Sequence, residues 1–375
     1  MPLQTDPITY LTQARPALKK NKKRNREVDR ILSLLGDPQK KFRSVHVGGT
    51  NGKGSVSTKL AEILKLSGYK VGLFTSPHIQ TLCERIQING EMISEEYIIS
   101  AMDRIHSISM EPLHFFEYMF IISCLYFVEM GIDIAVIEVG IGGICDTTNC
   151  LNTITSVITS IGEDHKELLG ESLHEIAEQK AGIIKKGIPV VLGPHADFPC
   201  MHIRGGIIHQ VVTIGSYVEE NEAVTLEAVQ SLKKCGITIT QSAIDVGILK
   251  MPPCRLERRG RFIYDIAHNP PAMRALLQAL PHVETAVVAF SKGKDLLGML
   301  NILAERIKNL IIAPHIHNHL EDQESVFSIA SQVGFSTIHI ADSEQMLVSV
   351  VDRFQGDVIV CGSAYLMGVQ IPQTS

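Results

Sequence analysis

Apolar positions along the chain change their period several times, and each change marks an element. Residues 43–47 (RSVHV) form a short β-branched run, and a glycine-rich stretch, GGTNGKG, fills 48–54. Val56, Leu60, Ile63 and Leu64 then fall at i, i+4, i+7 and i+8, the spacing of one helix face. Gly68 is a helix-stop signal, and 70–74 reads as the next strand. Strand, glycine loop, helix and strand make a βαβ unit, and such units build parallel sheets.

That second strand, read through to Thr75, is followed by two more, predicted at 132–137 and 154–161. Each runs into a polar cluster: Ser-Pro-His at 76–78, EVGIGG at 138–143 and GEDH at 162–165. The strand before Glu138 is apolar almost throughout, as a central parallel strand covered on both faces should be. In open parallel sheets, ligands bind beyond the carboxyl ends of the strands. The run 118–128, between Glu117 and Glu129, is too short to span a bilayer and reads as a buried helix. The pattern breaks around 245–254, where Pro252-Pro253 reads as a hinge. Strands are predicted again at 261–266, 284–290, 309–313, 336–340 and 357–361. The expected fold is α/β. Residues 1–250 are expected to form a P-loop-type parallel-sheet domain, and 251–375 a smaller Rossmann-like domain.

Length and charge narrow the class. A chain of 375 residues suits two domains. Its net charge of −5 lacks the basic excess of a nucleic-acid binder. The dense basic run 19–26 (KKNKKRNR) reads as a solvated helix end or as a patch for an anionic substrate. Eight cysteines include no Cys-x-x-Cys pair, and the start, MPLQTDPITYLTQ, has no apolar signal core. The expectation is a soluble cytoplasmic protein with reduced thiols, without nucleic-acid or membrane partners.

The candidate chemistry starts at the glycine loop. Gly49, Thr50, Asn51, Gly52, Lys53, Gly54 and Ser55 stand between a strand and a helix, where backbone N–H groups and a helix N-terminus favour phosphate. Lys53 suits the β/γ-phosphates. Gly54 follows the lysine where a hydroxyl would otherwise hold Mg2+. The metal must then take oxygens from neighbouring strand ends, and Ser76 and Glu138 are the donors in reach of that argument. A carboxylate ending a buried apolar strand is costly unless paired or on a metal.

Ser172-Leu-His-Glu175 is a capping box. In the helix it starts, Leu173, Ile176, Ala177 and Lys180 follow one stripe, so Lys180 lies on the apolar face. Burial favours the neutral, reactive amine; snorkelling to water is the alternative. His165, in the preceding loop, is a candidate metal ligand. In the second domain, Arg255, Asp265 and His268 stand where a nucleotide or substrate can be gripped after hinge closure. His315, His317 and His319 alternate, but Pro314 and Asn318 mark an exposed loop.

Together these segments resemble the folylpolyglutamate synthase/dihydrofolate synthase family of the Mur ligase superfamily. The resemblance is carried by LGDPQKKFRSVHVGGTNGKGSV (35–56), FTSPHIQTLCERIQING (74–90) and IEVGIGGICDTTN (137–149). It continues through SIGEDHKELLGESLHEIAEQKAGIIK (160–185), RLERRGRFIYDIAHNP (255–270) and GSAYLMG (362–368).

The resemblance implies an ATP-dependent ligase. An acceptor carboxylate takes the γ-phosphate, and L-glutamate displaces phosphate from the acyl phosphate. The implied acceptors are dihydropteroate and reduced folate. It implies one Mg2+ on Ser76 and Glu138, and a second on His165 and a carbamylated Lys180. It further implies ATP contacts from Arg255 and Asp265, action of His268 on phosphate, and substrate contacts from Arg85 and Asp146. The chain is expected to be a monomer. Ile144 departs from the family's Arg, and Ile266 from its Gly. The family's Gly-Leu-x-Arg segment is absent, and 194–215 is shorter than usual. The alternatives are a single-activity or other-acceptor Mur-type ligase, a non-catalytic ATP-binding switch, or a P-loop kinase.

Overall fold

A computed structural model describes residues 26–212 and 215–368 of the chain. The basic run 19–26 lies outside the described residues except for Arg26. The chain divides into two compact units between Met251 and Pro252.

The first unit is built on β1 (Arg43–Gly48), β2 (Val71–Phe74), β3 (Ile86–Ile88), β4 (Glu91–Met92), β5 (Ile134–Glu138), β6 (Thr153–Ile158), β7 (Pro189–Leu192) and β8 (Ile207–Gln210). Among the described residues they form one sheet, ordered β4-β3-β2-β5-β1-β6-β7-β8. The pairs from β2 to β8 are parallel, while β3 and β4 add an antiparallel edge. The second unit carries β9 (Glu257–Arg259), β10 (Phe262–Tyr264), β11 (Thr285–Val288), β12 (Asn309–Ile312), β13 (Thr337–Ile340) and β14 (Val358–Cys361). Their order is β13-β12-β11-β14-β10-β9, parallel except for β9.

The central strand explains its own composition. Ile134 and Val136 of β5 pack with Val56, Leu60 and Ile63 of the helix Lys53–Leu66. Ala135 and Ile137 face the opposite layer, with Phe120 and Phe127 of the helix Phe115–Glu129. Both faces are covered, so the strand reads as continuously apolar. The helix Phe115–Glu129 is itself apolar nearly all round because it is buried. No described helix is long and apolar enough to cross a membrane.

Where sequence periodicity and packing part, the reasons are local. Leu173 begins the stripe that ends at Lys180, yet it is 41% exposed. It sits in the first turn, and the cover over that face begins only at Ile176. Residues 194–212 hold a one-turn helix, Pro199–Ile203, and the edge strand β8.

Glu27 ties the helix Arg26–Leu34 to a distant loop. Its carboxylate accepts from Arg30 Nη2 at 2.7 Å and from the Met110 N–H at 2.6 Å. The Arg30 hydrogen bond, aided by the Met110 and Glu111 N–H groups, holds its pKa down at about 2 against desolvation. A depressed carboxyl stabilises the fold fully above its unfolded pKa and loses that contribution as pH falls toward the folded value. Glu27→Gln is therefore expected to cost about 1–2 kcal/mol at neutral pH, after discounting for the partly exposed arginine. That difference should shrink between pH 4.5 and about 2. Urea unfolding of both proteins at neutral and acid pH checks it; a pH-independent difference would contradict the charge assignment.

Candidate active site

Four strand ends converge because β2, β5, β1 and β6 are neighbours in that order. In register, Val47 lies opposite Glu138, Gly48 opposite Ile158, and Phe74 opposite Ile137. Parallel strands stand about 4.8 Å apart. The glycine loop after β1 therefore emerges between Glu138 on one side and Thr159-Ser160 on the other.

The loop is clamped by the β6 side. The Thr50 N–H donates to Ser160 O at 2.8 Å, and the Asn51 N–H to Ser160 Oγ at 3.0 Å. Thr159 Oγ1 donates to Asn51 O at 2.6 Å. Thr50 Oγ1 donates to Gly162 O, whose own N–H returns to Thr50 Oγ1 at 3.0 Å. Gly49 has φ 139°, and a Cβ there would lie 2.0 Å from Thr159 Oγ1. Only glycine fits that close approach in that conformation. Gly52 ends the loop in the left-handed region, and the helix Lys53–Leu66 begins, with Ser55 buried in its first turn. The clamp thus presets the loop at a helix N-terminus, where the N–H groups of the first turn from Lys53 favour phosphate.

Lys53 folds back over this loop. Its Nζ donates to Gly49 O at 3.1 Å and to Thr50 O at 3.0 Å. Lys180 reaches the same carbonyl from another helix: its Nζ donates to Gly49 O at 2.8 Å and the residue is 4% exposed. The capping box Ser172/Glu175 starts its helix, Leu173–Ala181. Two lysines therefore converge on one backbone oxygen of the phosphate loop.

Glu138 is 3% exposed. Its Oε2 accepts the Ser76 N–H at 2.9 Å and lies 3.7 Å from where a Cβ on Gly54 would stand. The absent hydroxyl at 54 thus leaves room beside a carboxylate and the Ser76 residue. Among the described residues, no cluster of three His, Cys, Asp or Glu side chains could hold a metal alone. Glu138 and Ser76 are oxygen donors of the kind Mg2+ takes in ones and twos beside substrate phosphates, so they fit that cation. His165 arrives on the loop that clamps Thr50. It has φ 49° and caps the helix Lys166–Leu169, with its Nε2 3.8 Å from Asp164 Oδ2.

The loop after β5 carries Asp146, which is 7% exposed. Its Oδ2 accepts the Ile141 N–H at 3.0 Å, and its Oδ1 accepts the Thr148 N–H at 3.0 Å and the Thr148 hydroxyl at 2.5 Å. Burial pushes its carboxyl above the ordinary range, against these donors. The loop rests on the helix of Lys180: the Ile144 N–H donates to Gln179 O at 2.9 Å. A Cβ at Gly143 would lie 2.6 Å from that same oxygen, which excludes any larger residue. Ile144 itself is 36% exposed. Arg85 sits on the β2–β3 connection, donating from Nε to His78 Nδ1 at 2.8 Å and stacking on Phe115 at 4.8 Å.

In the second unit, Asp265 organises the turn that carries Arg255. Its Oδ2 accepts the Leu256 N–H at 3.0 Å, and its Oδ1 accepts the Ala267 N–H at 2.9 Å. The buried Ile266 donates its N–H to Cys254 O at 3.0 Å. His268 bonds Ile266 O through Nδ1 at 2.9 Å, which places a proton on that nitrogen. His315, His317 and His319 lie in an exposed loop, where His317 stacks on Tyr365 at 4.2 Å.

Sequence reasoning missed the clamp by Thr159 and Ser160. Their only signal was two hydroxyl residues at the end of an apolar strand.

The chain is similar to known proteins. The Mur ligase middle domain matches residues 47–242. A folylpolyglutamate synthase from Lacticaseibacillus casei is 30% identical over 402 residues, covering 91% of this chain and 92% of that protein. A dihydrofolate synthase/folylpolyglutamate synthase from Escherichia coli is 30% identical over 362 residues, covering 84% and 83%. The structure of E. coli FolC in complex with DHPP and ADP superposes with a TM-score of 0.85 at 25% identity, covering 96% and 95%. That of the bifunctional enzyme from Yersinia pestis with AMPPNP and Mn ion gives 0.84 at 25%, covering 98% of each chain. A middle-domain match over more than half of the chain, and relatives 30% identical along most of both chains, show that the chain belongs to the folylpolyglutamate synthase/dihydrofolate synthase family of Mur ligases.

Proposed function

We propose that the protein joins L-glutamate to dihydropteroate, giving dihydrofolate, and to reduced folates, giving polyglutamates. The chain is an ATP-dependent acid–amino-acid ligase. The observation that carries the reading is the convergence of Lys53 and Lys180 on Gly49 O, with Glu138 on the next strand. A simple phosphate-loop kinase has no use for a second, buried lysine there.

In the first step an acceptor carboxylate oxygen attacks the γ-phosphorus and ADP leaves. In the second, the glutamate amine attacks the acyl carbon, phosphate leaves, and the amide forms. The loop N–H groups hold the phosphates, and Lys53 offsets charge that spreads over the γ-phosphate oxygens. Ser76 and Glu138 would hold one Mg2+, and His165 with Lys180 a second. Bound there, divalent cations neutralise the phosphate oxygens and fix their geometry. An ammonium cannot ligate a cation, so Lys180 would serve as its carbamate, formed when the neutral amine adds CO2 and releases a proton. Arg255 and Asp265 contribute to ATP binding, and His268 to the transferred phosphate. Arg85 and the Asp146 loop contribute to the acceptor site. The enzyme is proposed to act as a cytoplasmic monomer.

Support comes from the relatives: E. coli FolC has been solved with DHPP and ADP, and a bifunctional enzyme with Mn, AMPPNP and L-glutamate. Phosphate release with Mg-ATP and L-glutamate tests the reading, run with dihydropteroate, with tetrahydrofolate and with neither. Release with both, with glutamylated products, is expected. Release with one alone reduces the enzyme to a single activity. Release with neither, while ATP binds, would overturn the folate assignment.

A further inference from the structure

His46 lies in the middle of β1 and is fully buried, opposite Ile137 on β5 and Ser156 on β6. Nothing in the ligation chemistry calls for an imidazole there. Its Nε2 stands 2.7 Å from Thr148 Oγ1, and its Nδ1 is buried with no hydrogen-bond partner. Thr148 is fully buried too, and its hydroxyl is 2.5 Å from Asp146 Oδ1. The three side chains form a line running from the sheet interior to the acidic loop.

Proton counting fixes the direction of that line. A threonine hydroxyl has one proton to give. Asp146 already accepts backbone N–H groups from Ile141 and Thr148, an arrangement that suits a carboxylate. The threonine proton therefore goes to Asp146. Thr148 Oγ1 must then accept from His46, so Nε2 carries the imidazole proton and the orphaned Nδ1 is a lone pair. The reverse arrangement would leave an N–H donor buried without an acceptor, the rarer defect in proteins. The positive charge facing His46 comes from Lys185, which disfavours imidazolium. Burial, with that lysine, pushes the His46 pKa down to about 3. Lys185 also grips the far end of the same loop, with Nζ 3.1 Å from Asn149 O. Asn149 Nδ2 in turn reaches Ile144 O and Gly182 O, each at 3.2 Å.

We infer that His46 is a positioning residue for the acceptor site: by donating from Nε2 it commits the Thr148 proton to Asp146 and so sets the loop 139–149. This rests on reading that loop as the acceptor side. A side chain that titrates near neutral pH is here used as a fixed donor. Leucine or valine would fill the space at His46 but leave the threonine hydroxyl free to rotate.

Thr148→Val removes the hydroxyl at nearly constant shape, and Thr148→Ser keeps it. Thr148→Val should raise the KM for the pteroate-type acceptor about 3- to 10-fold, the worth of one buried hydrogen bond. The KM for ATP should stay within about twofold, because the phosphate loop is held from β6 instead. Thr148→Ser and His46→Gln, which retain donors, should recover most of the loss; His46→Leu should not. Equal rises in both KM values, with no rescue by serine, would overturn the assignment in favour of a general packing role. Histidine nitrogen NMR on the intact protein gives a second reading that needs no substrate. His46 should be neutral with the proton on Nε2 from about pH 5 to pH 8, and Thr148→Val should mix the tautomers. A proton on Nδ1, or an imidazolium, would overturn the relay even if the kinetics agreed. An enzyme inactive on folates whose His46 still shows the Nε2–H tautomer would overturn the substrate reading and leave the relay standing.

Discussion

Lys180→Ala is expected to lower turnover by about a thousandfold or more, roughly 4 kcal/mol of transition-state stabilisation, while ATP still binds. The separation follows from geometry. The Lys180 amine donates to Gly49 O at 2.8 Å, and that oxygen also accepts from Lys53 Nζ, so removing Lys180 leaves no buried carbonyl orphaned. The nucleotide cradle is held by Ser160, Thr159 and Gly162, which the substitution does not touch. A purely structural lysine would show the opposite profile, with thermal stability and ATP affinity falling together. Nucleotide titration by fluorescence or calorimetry, beside the phosphate-release assay, distinguishes the two. The carbamate adds a second readout. Activity should fall in CO2-depleted buffer and return with bicarbonate, and labelled CO2 should give a carbamate carbon signal that Lys180→Ala lacks. Full activity of Lys180→Ala at ambient CO2 would remove this residue from the chemistry.

Why Lys180 was legible, and other groups were not, turns on where partners come from. Val56, Lys59, Leu60 and Ile63 place a lysine on an apolar stripe just as Ile176, Ala177 and Lys180 do. Lys59 is indeed 1% exposed. Its Nζ meets Ile248 O and, at 3.3 Å, Glu222 Oε1, so it ties the helix Lys53–Leu66 to the helix Tyr217–Lys234 and to Ile248, the C-cap of the helix Gln241–Gly247. The stripe alone therefore says that a lysine is buried, not what it does. The difference lies in the neighbour, a phosphate-loop carbonyl in one case and distant helices in the other. Both neighbours lie over a hundred positions away in sequence.

Elements whose burial follows from their own periodicity were readable: the βαβ unit, the strand before Glu138 and the capping box at Ser172. Short antiparallel additions were not. β9 is three residues of Glu-Arg-Arg, polar because it is an edge, and it pairs only because Phe262–Tyr264 lies beside it. The same limit hid the His46 line. A histidine within RSVHV reads as one more strand residue. Its meaning comes from Thr148 on another strand's loop, 102 positions on.

Glu138→Gln is expected to raise the Mg2+ concentration for half-maximal activity at least tenfold and to cut turnover about a hundredfold or more. The amide has the size of the carboxylate, and its oxygen can still accept the Ser76 N–H that Glu138 Oε2 takes at 2.9 Å. What it loses is the charge and its strength as a donor for a hard cation. The buried setting sharpens the contrast. A carboxylate 3% exposed at the end of an apolar strand is held there against desolvation. If that carboxylate served only to cap the turn at Ser76, glutamine would restore an uncharged and less costly arrangement. Stability would then be equal or higher, and the Mg2+ dependence would be unchanged. If it holds the cation, stability without metal changes little or rises while catalysis falls, and added Mg2+ recovers part of the rate. Titrating phosphate release against Mg2+ separates the two outcomes, while thermal unfolding in chelator checks that the variant is folded. An unchanged Mg2+ midpoint would take Glu138 out of the metal site. The absent hydroxyl at Gly54 would then have no replacement on β5.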